Sequence, residues 1–153
     1  MAQPKRKESQ PRSVGHESID GTLSGSVLQF NVAGEFDQLR RDESWLHATG
    51  RSSKTLVKYP DLRIVLIAMK ANTRMHEHTA AGRISMHSLN GHIRVHLPEQ
   101  VMDLPAGHLL ALDQCVPHDV EALEDSAFLL TLSWPSVTKI VEAKTPRKKT
   151  TRH

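Results

Sequence analysis

Between Thr55 and Ser133 the chain divides into short apolar or alternating runs, each closed by turn-forming residues at regular spacing, and this constrains the fold more than any other feature. Thr55 to Tyr59 stops at Pro60-Asp61. Arg63 to Lys70 is almost continuously apolar and reads as a strand buried on both faces. Asn90-Gly91 separates Arg83–Leu89 from His92–Leu97, the pattern of a hairpin with a two-residue turn. Pro105-Ala106-Gly107 precedes His108–Asp113, and a turn through Pro117 leads into His118–Leu123. Glu124-Asp125 then leads into Ser126–Ser133, where Phe128, Leu130 and Leu132 alternate with Leu129 and Thr131 as a buried closing strand. At least seven short strands in this order predict an antiparallel sandwich or barrel.

The N-terminal side reads differently. Ser13 to Ser26 is a Gly/Ser linker, Val27–Val32 is a short strand-like run, and Glu35–Leu46 carries Phe36, Leu39 and Leu46 on one face of a single amphipathic helix that ends before Gly50. The expected organisation is a disordered basic tail over 1–26, a strand and helix over 27–52, the barrel over 53–136 and a second disordered basic tail over 137–153.

Charge follows the same division. Lys5, Arg6, Lys7 and Arg12 against Glu8 give residues 1–16 a net charge of +3. Lys144, Arg147, Lys148, Lys149 and Arg152 give residues 144–153 a net of +5, so a chain of overall charge +3 has a body of charge −5. No aromatic residue is interleaved with the basic tails to stack on bases, and solvated ends account for them; a nucleic-acid partner is not expected. Ile64–Met69 is the longest apolar stretch and falls far short of the about 20 residues that cross a bilayer. Lys5-Arg6-Lys7 is not followed by an apolar segment, so no secretory signal is read, and Cys115 is the single cysteine. A cytoplasmic protein with no membrane partner is the expectation. No Gly-X-Ser-X-Gly elbow, phosphate-binding Gly loop or Cys-X-X-Cys is present.

Two histidine-bearing segments around the Asn90-Gly91 turn resemble the two motifs of the cupin superfamily in its small single-domain form, over about Val57 to Trp134. The family's second motif places Gly, Pro, Gly, His and Asn at fixed intervals; here those positions hold Gly107, Asp113, Cys115, His118 and Ala122, so the first Gly and the His match. The first motif has His-X-His, then Glu, then Gly. Met75-His76-Glu77-His78 supplies the histidines and Gly91 the glycine, but counting back seven from Gly91 lands on Ile84 where the family has Glu. That count aligns His78 with the first histidine and Ala80 with the second; an inserted residue near Ala81-Gly82-Arg83 would instead let His76 and His78 serve. Fifteen residues separate Gly91 from Gly107, as in compact microbial cupins. The resemblance implies an all-β, cupin-type double-stranded β-helix (a jelly-roll barrel) with one short N-terminal helix. It also implies a binding or sensing role for a divalent metal or small-molecule ligand inside the barrel, the alternative being a metal-dependent enzyme of dioxygenase or isomerase type.

On a strand, residues two apart share a face, so His76 and His78 are expected to point inward together, with His118 approaching from its own strand. Three neutral imidazoles with an open position would suit Zn, Ni, Mn or Fe, and the absent Glu removes the anionic ligand. His87 is the alternative ligand: it lies opposite Ile84 and Met86, and a one-residue shift at Gly82 would bring it inside. His92, Arg94 and His96 alternate with Ile93, Val95 and Leu97 and are expected to face water; His108 is read as a surface residue. Cys115, three residues before His118, is read as structural. Exposed sheet edges suggest a homodimer, with the segment near Phe30 reaching across.

Overall fold

The computed structural model describes residues 23–134. Residues 1–22 and 135–153, which carry nearly all of both predicted tails, lie outside the described residues. Nine strands run in chain order: β1 Arg51–Lys58, β2 Leu62–Met69, β3 Arg74–His78, β4 Arg83–Asn90, β5 His92–His96, β6 Val101–Pro105, β7 Leu109–Leu112, β8 His118–Ala122 and β9 Ser126–Ser133. They form two facing antiparallel sheets, one ordered β1-β2-β9-β4-β7 and the other β3-β8-β5-β6.

Alternation explains which side chains fill the space between the sheets. Ile67 and Met69 of β2, Ile84 and Met86 of β4 and Phe128 of β9 meet Ile93 and Val95 of β5, Leu104 of β6 and Val120 and Ala122 of β8 in one buried cluster. The opposite side of β2, Leu66 and Ala68, joins a second cluster with Leu56, Val57, Leu39 and Trp45 on the outside of the five-stranded sheet. Burial on both faces is why β2 is the most continuously apolar strand.

That second cluster is roofed by helices, and here two readings are corrected. Val27 to Asn31 forms no strand; Asn31 is the N-cap of helix α1, Val32–Leu39, its side chain accepting the Gly34 amide at 3.2 Å. The single helix expected over Glu35–Leu46 is divided. The amides of Arg41 and Asp42 turn back to the carbonyls of Gln38 and Leu39, the tight closure of a helix end. Asp42 then caps a second helix, α2, Glu43–Leu46, by accepting the Ser44 amide at 3.0 Å. The break lets Leu39 and Trp45 both reach the sheet. Leu28 and Phe30 pack, partly buried, on the same cluster.

The Asn90-Gly91 pair is the third correction. β4 and β5 do not pair; they belong to different sheets, and Gly91 turns the chain across the corner between them. Gly91 has φ +75°, and a Cβ there would collide with the Asp125 carbonyl and Ser126. Ser126 locks the corner, its hydroxyl oxygen accepting the His92 amide at 3.0 Å while donating to the Glu124 carbonyl at 2.7 Å. β6 has no counterpart among the runs read from sequence, its residues being too mixed to stand out. Among the described residues no helix is long and apolar enough to cross a membrane.

Candidate functional site

β3 and β8 are adjacent, and their register decides which histidines meet. Met75 pairs with Val120 and His78 with His118, three steps on β3 against two on β8, so one extra residue bulges at His76-Glu77. Met75 and His78 therefore share the inner face, and His76 is exposed. The expectation that His76 and His78 point inward together fails because the bulge interrupts the two-residue alternation it rested on.

His78 and His118 lie edge-to-face, ring centroids 4.4 Å apart at 60°. His118 is 2% exposed, whereas His78 is open to solvent. The Nδ1 atom of His78 is 2.9 Å from the His76 carbonyl and that of His118 is 2.8 Å from the Val116 carbonyl. A carbonyl oxygen only accepts, so in both contacts Nδ1 carries the proton, and a neutral ring so anchored presents Nε2 as an acceptor. Burial pushes the His118 pKa down, partly offset by its bond to Val116, and the neighbouring His78 lowers it further. The deep ring is thus held neutral.

The turn before β8 fixes this placement. Cys115 adopts φ +59°, and its amide donates to the Ala80 carbonyl at 2.9 Å, tying the loop after β3 to the turn that carries Val116. Cys115 occupies a position where the resembled motif has glycine, which explains the left-handed backbone there. The thiol is exposed and takes no part in the pair.

The other candidates lie elsewhere. His87 is exposed while Ile84, Met86 and Ser88 are buried, so the shift that would have brought it inside does not occur; the irregularity falls on β3 rather than at Gly82. His108 is exposed. His92, Arg94 and His96 occupy the outer face of the four-stranded sheet, but among acids rather than free in water. Arg94 forms an ion pair with Asp103 at 2.7 Å, and His96 Nε2 is 3.0 Å from Glu121. The hydrogen bond from Arg94 holds the Asp103 carboxyl below the usual range. Arg74 reaches buried Asp119 at 2.7 Å. These acids come from β6 and β8, and no local pattern announces such cross-strand partners.

The residues present do not fit a three-ligand metal shell. His76 is turned away, and Ile84, in the place of the family's Glu, puts an apolar side chain into the core. Among the described residues no three His, Cys, Asp or Glu are grouped to hold a metal ion. A cavity of about 360 Å³ opens not at the histidines but beside β1, reaching Val65, Ile67 and Met75.

No protein-family model matches the chain, and no curated protein matches it in sequence. Solved structures do resemble it. A cupin-2 domain protein from Shewanella frigidimarina superposes with a TM-score of 0.56 at 16% identity, covering 69% of this chain and 94% of its own. A cupin superfamily protein from Desulfitobacterium hafniense gives 0.54 at 16% identity, covering 56% and 78%. An RmlC-like cupin from Desulfovibrio desulfuricans gives 0.51 at 19%, covering 77% and 97%. What is shared at these identities is the fold.

Proposed function

We propose that this chain, a cupin-type double-stranded β-helix, is a binding or sensing protein for a small molecule rather than a metal-dependent enzyme. The observation that carries the reading is the His78–His118 pair, with both Nδ1 protons anchored on backbone carbonyls. Two oriented Nε2 acceptors, one deep and one at the surface, are suited to hydroxyl, amide or amine donors of a ligand. Neutrality of His118 favours a donor group over an anion. Val116 and Ala80, packed on the core beside the pair, supply apolar surface for the rest of the molecule. Among the described residues a divalent metal would have only these two imidazoles, without a third side-chain ligand or an anionic one.

The test joins two measurements on the untagged full chain. Polyols and simple amides are titrated while histidine ring nitrogens are followed by NMR. The reading expects the Nε2 signals of His78 and His118 to move together and His118→Gln to weaken the interaction. Separately, protein equilibrated with Zn, Ni, Mn or Fe and then desalted should keep no stoichiometric metal. One ion per chain, lost in His118→Gln, would overturn the proposal.

A further inference from the structure

The cavity beside β1 has an unusual wall. Pairing of Arg51 with Met69 and of Ser53 with Ile67 places Arg51 and Ser53 on the core side of the five-stranded sheet, while Lys54 faces outward to Glu35. Alternation would fill that inner side of β1 with apolar residues; instead it carries a cation and a hydroxyl. Among the described residues no carboxylate lies within 4.0 Å of the Arg51 guanidinium. Asp42 lines the same cavity, with Oδ1 engaged by the Ser44 amide and Oδ2 making no hydrogen bond among those residues. The floor is apolar: Val65, Ile67 and Met75. An inward charge on an edge strand also deters unwanted strand pairing, but that role requires neither a cavity of about 360 Å³ nor an apolar floor.

We propose that this cleft binds a small α-amino or α-hydroxy carboxylic acid with an apolar side chain, its carboxylate on Arg51, its adjacent donor on Asp42 and its apolar body against Val65, Ile67 and Met75. Arginine presents a fork of donors that matches a carboxylate. A lone carboxylate would meet repulsion from Asp42, and a lone amine would leave Arg51 unpaired, so the two rim charges together select a molecule carrying both functions. The volume is of the order of known small-ligand sites, roughly 300 Å³ and above. The proposal does not depend on the histidine pair.

Calorimetry on the full chain tests it with four probes of matched carbon skeleton. L-leucine and 2-hydroxy-4-methylpentanoate are expected to bind. 4-Methylpentanoate, lacking the donor, should bind about tenfold more weakly, and 3-methylbutylamine, lacking the carboxylate, should give no measurable heat. Arg51→Gln should weaken every acid by about tenfold or more. Asp42→Asn, which keeps the helix cap, should narrow the preference for L-leucine over 4-methylpentanoate. Circular dichroism and melting confirm that both variants are folded. No heat with either leading acid, amine binding equal to acid binding, or an unaffected Arg51→Gln would overturn the proposal. Loss of binding in His78→Ala would place the ligand at the histidines and overturn it as well.

Discussion

Replacing Gly91 by alanine attacks the corner where the chain passes from one sheet to the other. Two costs add. With φ at +75°, an L side chain costs about 1–2 kcal/mol through the clash of its Cβ with its own backbone. The new Cβ also runs into the Asp125 carbonyl oxygen and Ser126 Cα, which are backbone and cannot move aside without shifting the turn, and into the Ser126 hydroxyl that bonds His92. That turn holds the Ser126–His92 bond at 3.0 Å and the bond from the Ala71 amide to Asp125 Oδ1 at 2.9 Å. Weakening both adds about 0.5–1.5 kcal/mol each, for a total of about 2–5 kcal/mol. Gly107 is the internal control: φ is +89°, but nothing lies within 4 Å of its Cβ position, so Gly107→Ala should cost about 1–2 kcal/mol from the backbone alone. Urea unfolding at constant m-value measures both. Equal costs for the two variants would refute the reasoning, because the collision at Gly91 would then contribute nothing.

Phe128→Ala, at a ring 1% exposed between the sheets, should destabilise by about 3–5 kcal/mol in the same assay, and a cost below about 1 kcal/mol would contradict the assignment of the core. Because the folded His118 pKa lies below its ordinary value of 6.5, the unfolded chain binds the proton more readily. Wild-type stability should therefore fall as pH drops below 6.5, and the fall should be shallower in His118→Gln; parallel melting curves from pH 7.5 to 5.5 would refute this. Cys115→Gly relieves a left-handed backbone at φ +59° and should stabilise the chain by up to about 1 kcal/mol, a thermal-shift gain that a strained cysteine predicts and a relaxed one does not.

What the sequence determines here follows from short-range rules. Alternation places Ile93 and Val95 inside and His92, Arg94 and His96 outside, and unbroken apolarity marks β2 as buried on both faces. The spacing from Gly107 to His118 singles out the deeply buried histidine, and one of the two registers read for the first motif singles out His78. Tertiary structure decided the rest. Gly91 has a local conformation that a hairpin and a sheet corner both accept, and only the distribution of ladder partners between β9 and β8 separates the two. The helix divides at Arg40 to Asp42 because Leu39 and Trp45 must both land on one sheet face. The bulge at His76-Glu77 arises from pairing with β8, more than forty residues away, and it removes His76 from the pair while leaving His78. Periodicity along a strand reports which side chains share a face only while the register is unbroken. Register is set by hydrogen bonds to a strand that the local sequence does not contain.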